Sequence, residues 1–219
     1  MVLKLIREYY FIFGLIPVIL YLYFRKRLID KGLRVIILLL LFGFFADIYS
    51  LYLANHQRPN FKVFNWFTLV ETLLLLHYFY KILPLKSHFK LFLSTAIIYT
   101  LLFLKDYYRI NGNRNYLDNI AAIENVIVII LSIVYFFKQI SNPDNLDFQK
   151  NPQFWVVCAY LIYSAGTFFL FLYISTLPLK DQQSDYILNY IFLIPKSMLL
   201  SIAMFMKNTF PQRKKFQLT

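Results

Sequence analysis

The stretch "IFLIPKSMLL", Ile191–Leu200, decides the fold. Its apolar residues run on without alternation, so it reads as a helix hydrophobic on every side and not as a half-buried strand. Such a helix is either the centre of a large core or a membrane span. One lysine, Lys196, stands directly after Pro195 in its middle. A cation at mid-membrane costs at least ~2.5 kcal/mol on insertion scales, so Lys196 calls for a partner or a task.

Working outward, the composition chooses between the two kinds of helix. The chain of 219 residues is 59% hydrophobic and 20% aromatic, with 24 Phe and 18 Tyr against 16% charged residues. A soluble domain of this size cannot hide so much apolar surface and still keep a polar exterior. The expected solvent, and first partner, is a lipid bilayer. Seven apolar segments have the roughly 20-residue length that crosses ~30 Å of hydrocarbon at ~1.5 Å per residue. They fall near 8–24, 34–54, 62–82, 88–105, 117–138, 153–175 and 186–207. Lys90 and Lys105 bracket the fourth and are expected to snorkel.

Connections such as "QRPN", "LPLKS" and "RINGNRN" are short and rich in turn formers or charge. With no internal repeat or low-complexity linker, residues 1–219 read as a single seven-helix transmembrane domain, an all-α polytopic membrane protein. Continuous apolarity argues against a β-barrel. The N-terminal apolar run ends in Arg25, Lys26 and Arg27 without a small-residue cleavage site, so it reads as a retained first helix.

The formal net charge is +12, yet the basic residues lie between apolar runs and form no continuous face, which excludes nucleic acid as a partner. Assigned to sides, fourteen Lys and Arg flank the ends expected in the cytoplasm and eight the opposite ends, Lys196 being the last of the 23. The asymmetry predicts the N-terminus outside and the C-terminus in the cytoplasm. Cys158, the lone cysteine, allows no internal disulfide and reads as a buried, inert thiol.

Depth along each span gathers the buried charges. Glu71 lies at the middle of the third segment and Lys196 at the middle of the seventh. Asp47 on the second and Glu124 on the fifth sit about three residues, ~4.5 Å, toward the outer side. Four ionisable residues on four helices therefore share one layer. Helical spacing adds polar neighbours: Asn189 is seven residues from Lys196, and Tyr160, Ser164 and Thr167 follow an i, i+4, i+7 pattern. Lys196 is expected to pair with Glu71 or Glu124, or to meet an anionic group of a ligand. Three carboxylates against one lysine is more acid than pairing requires, and the surplus marks a candidate site as well as a packing device. Pro195 removes a backbone donor and is expected to kink the seventh helix beside the lysine.

The histidines carry less. His77 reads as a hydrogen-bonded packing residue, His56 and His88 lie at span edges, and the three are too scattered for a metal site. Gly166 reads as a close helix contact, and Trp66 and Trp155 as interface anchors.

In "FNWFTLVETLLLLHYF", "NPQFWVVCAYLIYSAGTFFLF" and "NYIFLIPKSMLLSIAM" the chain resembles small uncharacterised seven-helix membrane proteins of the Bacteroidota. In helix count, orientation and short loops it is loosely similar to the seven-helix modules of bacterial sensors. The resemblance implies a bacterial inner-membrane location and a signal passed to a separate protein, at the cytoplasmic face or in the membrane. It assigns no chemistry.

Four functional classes are compared. A receptor-like protein would bind a small ligand, anionic if it meets Lys196, in an outward-facing polar pocket and needs no cofactor. An intramembrane lipid hydrolase would use the buried acids as general acid and base, and a structural subunit of a larger complex would use them only for packing. A retinal photoreceptor would use Lys196 for a Schiff base. Microbial rhodopsins, however, carry Asp four residues before the lysine, where this chain has Phe192. The receptor-like reading, without enzymatic activity, is the expectation.

Overall fold

The computed structural model describes residues 2–24, 31–83, 89–109, 112, 116–141, 148–174 and 187–206. The basic tail from Lys207, His88 and most loop sequences lie outside the described residues, as do the side chains of residues 2–11. Among the described residues there are seven α-helices and no strands: α1 Val2–Phe24, α2 Lys31–Asn55, α3 Phe61–Ile82, α4 Phe89–Arg109, α5 Asp118–Ile140, α6 Pro152–Ile174 and α7 Ile187–Phe205. A single 3₁₀ turn, Phe148–Lys150, precedes α6.

Local chemistry sets several ends. At the end of α2, Gln57 adopts φ 56° while its amide bonds the Ala54 carbonyl and the Arg58 amide bonds the Leu53 carbonyl. This is a Schellman cap with glutamine where glycine is usual, and Pro59 follows to prevent continuation. The loop is then drawn back by Asn60, whose amide donates to the Ser50 hydroxyl at 2.8 Å. Asn151 caps α6 by accepting from the Gln153 amide at 3.0 Å, with Pro152 at the first helical position. Helix α7 runs unbroken through Pro195, and α1 likewise contains Pro17.

Consecutive helices pack side by side, and α7 closes onto α1 to complete a ring. Helix α3 also touches α5 directly, which leaves α4 on the outer side of that contact. The ring is packed unevenly. At the end formed by the start of α2 and the end of α3, Leu33, Ile36, Tyr78, Phe79, Val156 and Met204 are all fully buried in one apolar cluster. The opposite end, which carries the α2–α3, α4–α5 and α6–α7 connections, holds the polar layer.

Outward, the helices present apolar side chains. Ile19, Phe45, Ile98, Ile130, Phe169 and Met198, from six different helices, are each more than half exposed. Inside, hydroxyls turn back on their own helices: Ser132 donates to the Val128 carbonyl at 2.8 Å and Ser201 to the Ser197 carbonyl at 2.7 Å. An apolar exterior with hydroxyls bonded back to their own helices is the arrangement hydrocarbon demands. Three segments are long and apolar enough to cross a membrane: Gly32–Asn55, Asp118–Ile140 and Pro152–Ile174. Ile12–Phe24 and Ile191–Phe205 are shorter apolar stretches. Helix α3 falls outside this group because Asn65, Glu71 and His77 dilute its apolar residues, and α4 because charges stand at both ends.

Two minor expectations change. Cys158 is partly exposed on α6 instead of buried. His77 is exposed on α3, since the face of α3 turned to the core is occupied by Leu75, Leu76, Tyr78 and Phe79. Trp66 packs edge-on against Phe103 and Tyr107 of α4, with centroids 5.4 and 5.7 Å away, and so joins two helices.

Candidate functional site

A cavity of about 530 Å³ occupies the loosely packed end of the ring. Leu39 and Leu200 in its wall belong to the apolar cluster, and Ala54, Asn60 and Phe61 carry the wall to the α2–α3 connection. The volume lies within the ~300–1,000 Å³ range of small-molecule sites.

The polar centre is built from α3, α5, α6 and α7. Lys196 Nζ donates to Glu71 Oε1 at 3.0 Å, and the two residues are 7% and 8% exposed. Helix α6 supplies two rings to the same ammonium: its Nζ stands 4.1 Å from the Tyr163 ring centroid and 4.5 Å from that of Tyr160. A cation held by one carboxylate and two aromatic faces is well compensated away from water. The sequence alone left the partner open between Glu71 and Glu124; the geometry gives Glu71.

Glu124 on α5 is equally buried and lies within electrostatic reach of both Glu71 and Lys196, with the Thr72 hydroxyl beside its carboxyl group. The Thr72 hydroxyl donates to the Thr68 carbonyl at 2.9 Å, and Thr68 Oγ1 is 3.3 Å from the Tyr116 hydroxyl. Among the described residues Glu124 has no ion-pair partner. Its neighbour Asn125, 3% exposed, leaves its Nδ2 without an acceptor, and the hydroxyl of Tyr160, 1% exposed, is also unpartnered.

Of the eight residues singled out from sequence, the cavity wall contains Lys196, Glu71, Glu124, Asp47, Asn189 and Tyr160. Asn189 lies against the Tyr163 hydroxyl while its Oδ1 has no donor. Ser164 and Thr167 are buried but do not line the cavity, and the Thr167 hydroxyl donates to the Tyr163 carbonyl at 2.8 Å. Helix α6 packs against both α5 and α7, so its buried face is wider than the strip that meets the cavity. Sequence reasoning passed over Tyr163, Asn125 and Tyr116. Tyr163 carried a signal, since it follows Tyr160 by three residues and therefore shares its face.

The site is braced by Asn65, fully buried on α3. Its Nδ2 donates to the Gly112 carbonyl at 2.7 Å and its Oδ1 accepts from the Leu117 amide at 3.0 Å. One side chain thus holds the α4–α5 connection over the cavity wall. On the opposite side, Gly166 lets α6 and α7 approach so closely that a Cβ there would collide with the Phe192 ring. Among the described residues no group of His, Cys, Asp and Glu is placed to hold a metal ion.

Comparison with protein-family models, with curated proteins and with solved structures finds no match for this chain.

Proposed function

We propose that the chain crosses a bacterial inner membrane seven times, N-terminus outside, and acts as a receptor-like protein that binds a small molecule in the outer half of the bundle. A separate protein, at the cytoplasmic face or within the membrane, receives the signal. The observation that carries this reading is the cavity itself: about 530 Å³, with the Lys196–Glu71 pair and Glu124 in its wall. A bundle that used these charges only to fix packing would close over them, because unpartnered buried polar atoms cost stability. The outward-facing apolar side chains on α1 and α4 as well as on the more apolar helices support seven crossings. The excess of Lys and Arg at the packed end supports the orientation.

The test is access. With Cys158 replaced by serine, Ala121→Cys places a thiol on the cavity wall, at a residue 3% exposed. A membrane-impermeant thiol reagent applied to intact cells is expected to label it. No labelling from either face of the membrane rules out an open pocket, and labelling from the cytoplasmic face alone reverses the orientation.

One observation favours a second reading. Asp47 and Glu124 line the same cavity, as a lipid hydrolase working by general acid–base catalysis would require. Lipid extracts that are identical from cells with wild-type protein and with Glu124→Gln dismiss it.

A further inference from the structure

We infer that the cavity is filled from the bilayer, through a gap between α1 and α2, and that its ligand is an amphiphile with a long aliphatic chain. The inference rests on the binding reading above and supplies the chemical class of the ligand.

The gap follows from two glycines. Gly14 on α1 and Gly43 on α2 both line the cavity, and a Cβ placed on Gly14 would meet no atom within 4 Å. Among the described residues, α1 has no buried side chain before Pro17, and α2 has none from Leu40 to Tyr49. Toward the packed end the same helices bury Val18, Ile36, Ile37 and Leu39. The two helices therefore seal one half of their shared side and leave the other half thinly covered.

Depth places this thin wall beside the charges. Short connections make successive helices antiparallel, so α1 and α7 run the same way. The Phe24 and Phe205 rings meet at 5.2 Å, and counting back ten residues on α1 and nine on α7 sets Gly14 level with Lys196. A Cβ on Gly43 would lie 3.3 Å from the Phe67 ring, and Glu71 follows Phe67 by about one turn of α3.

The flanking side chains Ile12, Ile16, Phe42 and Phe45 are exposed, so the gap opens among lipid-facing residues at a depth where an aliphatic chain is at home and water is not. Beside the gap the wall carries Leu40, Phe44, Phe64 and Phe67, and beyond them stand the Lys196–Glu71 pair and Glu124. An apolar approach that ends at a polar centre matches an amphiphile, with the chain in the approach and the head at the charges. At about 530 Å³ the cavity has the size of a small-molecule site, with room for one chain.

Photolabelling of the full chain in liposomes tests this with two probes: a long-chain fatty alcohol carrying a terminal diazirine, and a phosphatidylcholine with the same diazirine at the end of one chain. Adducts are mapped by mass spectrometry. Thr68, Glu124 and Leu200 line the cavity and are buried from surrounding lipid, whereas Ile98 and Ile130 face outward and report that lipid. Adducts are expected at the three wall residues as well as at the two outer ones. Wall labelling by the alcohol alone assigns a single-chain ligand, and wall labelling by both probes assigns a phospholipid chain. Gly14→Trp, which puts a side chain into open space, is expected to lower the wall adducts about tenfold and to leave those at Ile98 unchanged. Adducts at the outer residues alone, or wall adducts that Gly14→Trp leaves undiminished, overturn the inference. The Ala121→Cys labelling then separates the two readings, because a thiol that reacts keeps the pocket and removes only its lipid ligand. The wild-type adduct map is decisive even if Gly14→Trp fails to fold.

Discussion

Removing Lys196 should harm this protein more than removing Glu71, and the asymmetry follows from where Glu124 stands. The Lys196–Glu71 contact is 3.0 Å long between residues that are 7% and 8% exposed. At an effective dielectric constant of about 20, its Coulombic part is roughly 5.5 kcal/mol, and breaking a buried pair by deleting one partner costs about 3–5 kcal/mol. Lys196→Met leaves Glu71 and Glu124 facing each other with no cation, and the two tyrosine rings lose theirs. Glu71→Gln leaves Lys196 with both rings and with Glu124 in electrostatic reach.

The expected losses are therefore about 3–5 kcal/mol for Lys196→Met and about half that for Glu71→Gln. For a chain of this size each kcal/mol moves the melting temperature by roughly 2–4 °C, so thermal unfolding in detergent resolves the difference. The double variant should recover most of the Lys196→Met loss, giving a coupling energy well above the ~0.5 kcal/mol expected of independent sites. Equal losses for the two single variants, or a double variant that simply adds them, would show that Glu124 does not share the lysine and that the reasoning is wrong.

Four further outcomes test the fold around the site. Gly166→Ala should cost about 1–3 kcal/mol by driving a methyl group into the Phe192 ring, and Phe192→Leu should restore most of it; unfolding curves of the three variants check this. Asn65→Leu removes two buried hydrogen bonds to the α4–α5 connection and should cost about 2–3 kcal/mol, with faster hydrogen exchange at the Leu117 amide as the local readout. Gln57→Gly relieves a left-handed residue at the end of α2 and should stabilise by about 1 kcal/mol, seen as a higher melting temperature. Ile36→Ala in the packed end should cost about 2–5 kcal/mol, whereas Phe64→Ala on the cavity wall, already beside empty space, should cost distinctly less in the same assay.

Much of this architecture was legible because the physics behind it is local. Apolar runs of span length predict the seven helices to within a few residues at most ends. The larger errors, α1 starting at Val2 instead of 8 and α4 continuing to Arg109 instead of 105, occur where charges dilute the pattern without ending the helix. At the α4 terminus Asp106 and Arg109 pair at 3.2 Å on the exposed side, so the extra turn keeps its charges in a polar setting. The polar layer was legible for a similar reason: depth along a helix is simple counting. What counting cannot give is rotation about the axis. Ser164 and Thr167 share a face with Tyr160, yet the cavity meets α6 along Tyr160 and Tyr163, because contact with two neighbouring helices widens the buried face. The choice of Glu71 over Glu124 as the lysine's partner was equally beyond the sequence, since it depends on how α3 and α5 approach α7.

The division of the ring into a packed end and a hollow end gives the charges their meaning. The apolar cluster draws on all seven helices, from Val18 on α1 and Ile36 on α2 to Met204 on α7, with α4 represented by Phe92 alone. That end can hold the bundle together while the other keeps a cavity and bears the cost of unpartnered Asn125 and Tyr160. Lys196 and Glu71 stand near the boundary, close above Leu200 of the packed end and in the wall of the hollow one. A ligand that draws on Glu124 changes the field felt by a pair that joins α3 to α7. Helix α7 in turn packs along α1 and α6 down to the closed end. The ion pair is thus a polar contact in the cavity wall through which occupancy can bias helix packing at the far end, and this is the property the proposed receptor-like reading needs.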